Sequence, residues 1–115
     1  MYNEAADFAD HVEQIRRMDT ALGAVGISIE WSSTSMCDVG GGGGVHAGLL
    51  ACRAKRVHCA DIIDQHARYG GEFGKLLREK LARYQFDLPL ERLEFNVADA
   101  MNAAVSWHRE TTNTD

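Results

Sequence analysis

Five consecutive glycines, Gly40 to Gly44, constrain this chain more than any other stretch. A glycine run in isolation is a flexible linker. Here Ser35-Met36-Cys37-Asp38-Val39 leads straight into it, and Val45-His46-Ala47-Gly48-Leu49-Leu50 leads straight out. The first flank reads as a short strand and the second as the start of a helix. Glycine reaches left-handed backbone conformations without a Cβ penalty, so the join can be tight. A loop of that kind lets a ligand lie against backbone N–H groups where a helix begins. Asp38, at the strand end, adds a carboxylate to the same place. The stretch reads as half of a pocket for a nucleotide-type cofactor.

The rest of the chain alternates in the same way. Residues 4–22 are expected to be helical, because Phe8, Val12, Ile15 and Leu22 recur on one helical face. Gly23 and Gly26 supply the stop. Ile27 to Trp31 reads as a short strand or an extended lead-in, and Met36 to Val39 as a strand. A helix is predicted over Val45 to Ala54, closed by Arg53, Lys55 and Arg56. Their charge complements the helix dipole, and this is preferred to a basic binding patch. Val57 to Ala60 is the second strand, ended by Asp61. The looser stretch Gln65 to Gly71 leads into a helix from Glu72 to Tyr84. Its apolar face is Phe73, Leu77, Leu81 and Tyr84, and Glu72, Lys75, Glu79 and Arg83 form a solvated face. Leu93 to Val97 is the third strand, with Asp99 just beyond it and a weak helical turn toward Trp107. The polar tail, residues 108–115, is expected to be disordered. Strands that alternate with helices predict an α/β fold with a parallel sheet.

Composition narrows the function classes. A length of 115 residues suits one domain at most. A net charge of -5 argues against a nucleic-acid surface, which needs a basic face. The three cysteines, Cys37, Cys52 and Cys59, show no C-x-x-C pair and read as free thiols of a reducing compartment, not as a metal site. No apolar run approaches the roughly 20 residues that span a bilayer, and no basic segment opens the chain, so a cytoplasmic protein is expected. Of the histidines, His46 alone lies near the glycines, and none stands beside a Cys or Ser in a way that suggests a nucleophile.

Three acids stand at or just after the three strand ends: Asp38, Asp61 and Asp99. Ligands of open α/β sheets bind outside the carboxyl ends of the strands, so these acids would line one edge beside the glycine loop. A carboxylate after the second strand can accept from both hydroxyls of a ribose. The arrangement resembles the class I, Rossmann-like S-adenosylmethionine-dependent methyltransferases. The match runs through Asp38-Val39-Gly40-Gly41-Gly42-Gly43-Gly44, Val57-His58-Cys59-Ala60-Asp61-Ile62 and Asn96-Val97-Ala98-Asp99-Ala100, and covers about residues 35–101. The resemblance implies that Gly40, Gly42 and Gly44 shape the loop around the methionine and ribose part of the cofactor. It implies that Asp38 sits near the cofactor's amino group, Asp61 on the ribose with Ile62 beside it, and Asp99 with Ala100 near the adenine. By the same likeness, residues 1–26 would be an N-terminal helix and residues 27–107 a partial cofactor-binding core. The implied fold is the N-terminal half of a three-layer sheet with strand order 3-2-1. The implied chemistry is methyl transfer from S-adenosyl-L-methionine to an acceptor, a small molecule by preference.

The family's pattern continues with further strands, whereas no fourth apolar run follows Val105 here, so the chain reads as truncated after its third strand. The fourth strand would flank the first, so its absence leaves an open edge that invites self-association or a partner chain. That gives a second reading, a non-catalytic cofactor-binding or interaction fragment. A third is an NAD-type dinucleotide site, since Gly42-Gly43-Gly44-Val45-His46-Ala47 fits G-x-G-x-x-A. A carboxylate beside a pyrophosphate would be repelled, so Asp38 favours a ligand carrying an ammonium and a sulfonium. Asp61 and Asp99 can also be plain helix caps, and Asp64 is a local cap or surface acid before it is a ligand.

Overall fold

The computed structural model describes residues 1–40 and 42–97. The first helix, α1 (Glu4–Ala24), starts where the Asn3 side chain accepts from the Ala6 N–H, with Glu4 and Asp7 in the first turn. Carboxylates there complement the positive end of the helix dipole. Strand β1 is Ser35–Val39, helix α2 Val45–Ala51, strand β2 Arg56–Asp61, helix α3 Gln65–Arg68, helix α4 Phe73–Arg83 and strand β3 Leu93–Val97. The three strands form one parallel sheet with neighbour order β1-β2-β3. Central β2 places Cys37 opposite His58 on one side, and Glu94 opposite His58 on the other.

A parallel strand in the middle of a sheet is covered on both faces, and β2 obeys this: Val57, His58, Cys59 and Ala60 are all buried. Val57 and Cys59 share a core with Leu49 and Leu50 of α2 and Leu77 and Leu81 of α4. The two helices lie so close that a Cβ on Gly48 would sit 3.0 Å from Leu81 Cδ2. Residue 48 must therefore be small for α2 to reach α4. Helix α1 packs over α2, and Phe8 is its one buried residue, stacked on Tyr84 at 4.2 Å. Both ends of α1 are pinned. Glu4 accepts from Arg83 and Tyr84 at the end of α4, and Asp19 takes a bidentate pair from Arg53 at 2.9 and 3.0 Å.

Several sequence expectations shift. Ile27 to Trp31 forms no strand; Trp31–Ser33 is a turn of 3-10 helix. The Ser33 and Thr34 hydroxyls both donate to the Glu30 carbonyl, a local bond that competes with a ladder bond. Helix α2 stops at Ala51, not Ala54, because the Lys55 N–H turns away to the carbonyls of Trp31 and Thr34. Arg53 and Arg56 do not cap it. Arg53 is held by Asp19 and lies over the Trp31 ring at 4.0 Å, while Arg56 belongs to β2 and donates to Glu94 at 2.6 Å. The stretch Gln65 to Gly71 contains one helical turn, whose start Asp64 caps by accepting from the Ala67 N–H. Val12 is exposed, and the inner face of α1 runs through Phe8 and His11 instead. Asp99, Ala100, the turn toward Trp107 and the tail lie outside the described residues. Among the described residues no helix is long and apolar enough to cross a membrane.

Candidate functional site at the carboxyl edge of the sheet

The end of β1, the glycine loop and the end of β2 meet at one edge. Gly40, Gly42 and Gly44 all have positive φ, at 74°, 53° and 77°. The loop leaves β1 with the Gly40 N–H donating to the Ala60 carbonyl at 2.7 Å. The Gly42 N–H donates to Asp61 Oδ2 at 2.6 Å, and the Ile63 N–H to Asp61 Oδ1 at 2.9 Å. One carboxylate thus ties the loop after β1 to the loop after β2. The Ile63 and Gly42 N–H groups hold the Asp61 carboxyl below its ordinary range. Each carboxylate oxygen has more than one acceptor site, so Asp61 keeps capacity for a further donor such as a ribose hydroxyl.

Asp38 is in a different condition. Its Oδ2 is buried and has no hydrogen-bond partner among the described residues. Burial pushes its pKa up; His46 and His11 pull it down, and Asp61 adds a smaller upward push. A buried carboxylate oxygen without a donor is costly, and the cost is relieved by a bound cation or donor.

Apolar side chains are exposed around these acids. Val39 is 39%, Ile62 73%, Ile63 48% and Val97 53% exposed; Val39 and Val97 end their strands, and Ile62 and Ile63 follow the end of β2. The interior of β2, two residues away, is almost dry. The edge therefore combines acceptors with uncovered apolar surface, the mix expected where a partly apolar ligand is oriented by a few polar groups.

Sequence reasoning missed His11. Helix α1 brings its ring to 5.8 Å from the His46 ring, edge-on, and its Nε2 lies 3.7 Å from Asp7 Oδ2. The signal was available, since His11 stands three residues after Phe8 on the buried stripe. Also unforeseen is a polar row on the sheet, in which Glu94 lies between Arg56 and His58, and Asn96 Nδ2 lies 3.4 Å from His58 Nε2. The cysteines are free; Cys59 is buried, and burial pushes its thiol up to about 12, which makes it inert. Among the described residues no three His, Cys, Asp or Glu side chains are grouped to hold a metal ion.

Of the residues singled out in the sequence, Asp38, Gly40, Gly42, Gly44, Asp61 and Ile62 come together at this edge. Asp99 and Ala100 lie outside the described residues. Comparison of the chain with protein-family models, curated proteins and solved structures finds no match.

Proposed function

We propose that this edge binds S-adenosyl-L-methionine and that the chain is the cofactor-binding part of a Rossmann-like methyltransferase. The observation that carries the reading is the pairing of two unlike carboxylates across one glycine loop. Asp38 is half-buried, with one buried oxygen that has no hydrogen-bond partner among the described residues, and Asp61 is solvent-facing and tied to the loop. Asp38 suits the ammonium of the cofactor's amino-acid end, and Asp61 the ribose diol, with Ile62 against the base. The neighbour order β1-β2-β3 is compatible with the half-sheet this reading needs. The cofactor supplies an already activated methyl group. What this chain contributes is position and exclusion of water, which can account for much of such a reaction. A small-molecule acceptor remains the preferred substrate class.

Charge weighs against the dinucleotide alternative. A pyrophosphate would need the Gly42 N–H, which Asp61 already holds, and would lie beside a second carboxylate at Asp38. Calorimetry on the whole chain tests the reading. Adenosylhomocysteine is expected to bind saturably, NAD is expected not to bind, and Asp61→Ala should cost about 1.5–3 kcal/mol of affinity. No heat of binding at millimolar adenosylhomocysteine would falsify it.

One further observation favours a companion reading. Among the described residues β1 has β2 as its one strand neighbour, and Val39 at its end is exposed. A strand with a free edge is completed by another strand. A second chain docked there would give a mass above 12.7 kDa in light scattering, and a strict monomer at high concentration removes this reading.

A further inference from the structure

We infer that the hollow lined by Gly43, Tyr69, Phe73, Leu76, Leu77 and Lys80 is a second ligand site, one that takes a single aromatic ring bearing a carboxylate. It lies on the α4 side of the glycine loop, and nothing in it requires a nucleoside cofactor.

Size sets the first limit. The hollow has a volume of about 220 Å³. An enclosed apolar cavity of about 150 Å³ holds benzene, so one ring with a small substituent fits. The lining sets the second. Tyr69 and Phe73 are stacked at 5.6 Å with 16° between their planes, and they continue into Leu76 and Leu77. Tyr69 and Leu76 are each 44% exposed. Neither belongs to the core cluster of the described residues. A ring laid against the exposed parts of Tyr69 and Leu76 would cover them, beside the Arg68 guanidinium that already lies over the Tyr69 ring at 5.7 Å.

Charge sets the third limit. Glu79, Lys80 and Arg83 form the rim. Arg83 is already engaged by Glu4 at 2.9 Å, and both Glu79 and Arg83 are exposed, where solvent screens them. Lys80 is half-buried and has no hydrogen bond or ion pair among the described residues; its charge reaches Glu4, which Arg83 and Tyr84 already hold. An ammonium without a hydrogen bond keeps three donors for a ligand. A ligand in the hollow therefore meets a cation with spare donors at close range, above an aromatic floor.

Gly43 forms part of the wall, so occupancy reaches the same loop that carries Gly42 and Gly44. The backbone amide of Gly43 is then a natural reporter, together with Tyr69 and Leu76.

The experiment is an NMR titration of the full chain with benzoate, benzamide and benzylamine, which share a ring and differ in charge. Benzoate is expected to give saturable shifts at Gly43, Tyr69 and Leu76, with an affinity roughly threefold to tenfold above benzamide. Benzylamine is expected to be weakest. Lys80→Gln should bring benzoate down to the level of benzamide, and Lys80→Arg should keep the preference. Leu76→Glu, at an exposed position, should abolish binding of both. Tighter binding of benzylamine, equal binding of benzoate and benzamide, or an unaffected Lys80→Gln variant each overturns the anion. The absence of any saturable shift at about 20 mM benzoate overturns the site. Because adenosylhomocysteine is not in the titration, failure here leaves the cofactor reading standing, and the reverse also holds.

Discussion

At Gly44 a Cβ would come within 3.1 Å of Leu77 Cδ2 and 3.2 Å of Phe73 Cζ, whereas at Gly43, one residue earlier, it would meet nothing within 4 Å. The same openness holds at Gly40 and Gly42. The glycine loop thus has a packed end and an open end. The packed end belongs to the seam between α2 and α4, where Gly48, Leu77 and Leu81 exclude space for a methyl group. The open end belongs to the carboxyl edge, where Asp38 Oδ2 has no partner among the described residues and Ile62 is exposed. The seam uses its groups to hold the fold. The edge leaves groups unused, and unused polar and apolar groups at one place are what a ligand can take up.

The largest effect is expected where the comparison is sharpest. Gly44→Ala combines a side chain at positive φ with overpacking of the seam, and should destabilise the chain by about 2–4 kcal/mol in urea unfolding. Gly43→Ala should stay within about 0.5 kcal/mol of the parent, since its Cβ points into open space. If the proposed cofactor lies against this loop, Gly43→Ala should nevertheless weaken adenosylhomocysteine. Equal destabilisation by the two changes would remove the distinction between the ends.

The next effect separates the loop tie from the fold. Asp61→Asn keeps the shape of the side chain but turns one of its two acceptor oxygens into an NH2 donor, so one of the bonds from Gly42 and Ile63 is lost and the other weakened, by roughly 1–2 kcal/mol in total. The pH dependence has a fixed sign. The Asp61 carboxyl titrates lower folded than unfolded, through the Ile63 and Gly42 N–H groups. Its contribution is therefore present above the ordinary aspartate range and is lost as pH falls through the lowered folded value. The Gly42 amide proton should follow that titration by NMR, with a midpoint below that of a free aspartate. A midpoint at or above the free value would show that the tie is not made.

These two predictions rest on features of unequal visibility in the sequence. The alternation of strands and helices was readable, because Phe73, Leu77 and Leu81 share one helical face and Leu93 to Val97 alternates. The clustering of Asp38, the glycines and Asp61 at one edge follows from that order alone, since parallel strands put their ends together. Missed were features set by partners distant in the chain. Ile27 to Trp31 has strand-like residues, yet Thr34 and Ser33 capture a carbonyl four or three residues back. Arg53 reads as a helix-end cation until Asp19, 34 residues earlier, is seen to claim it. His11 is one more residue of an amphipathic stripe until α1 lies across α2. The Asp61 tie to Gly42 spans 19 residues, and no local pattern encodes it.

Asp38 should show the opposite sign to a packing residue. Its buried carboxyl titrates higher folded than unfolded, so its charged form weakens the fold as pH rises through the ordinary aspartate range toward the raised value. Asp38→Asn should therefore raise stability near neutral pH, by up to about 1 kcal/mol, and leave it unchanged in acid. On the cofactor reading the same change should lower affinity for adenosylhomocysteine while sparing 5′-methylthioadenosine, which lacks the amino-acid end. A group that costs stability and serves a ligand belongs to the open end of the comparison. Loss of stability in Asp38→Asn would return it to the packed end.

The smallest effect probes the packed side by itself. Helix α4 ends in a turn where the Phe86 N–H donates to the Leu81 carbonyl and the Gln85 N–H to the Ala82 carbonyl, with Gln85 at φ 70°. That turn favours glycine, because any Cβ there is strained. Gln85→Gly should gain about 0.5–1 kcal/mol by relieving the strain, partly offset by the greater entropy of the unfolded chain. Its thermal melt should shift up by a few degrees, and neither adenosylhomocysteine nor benzoate binding should change. Gly44→Ala and Gln85→Gly then act on stability in opposite directions through the same backbone region of φ. Ligand binding that followed either of them in proportion to stability would mean that the seam and the edge are one cooperative unit. Binding that stayed constant in Gln85→Gly would mean that the loop's open end is built on the seam without depending on its surplus stability.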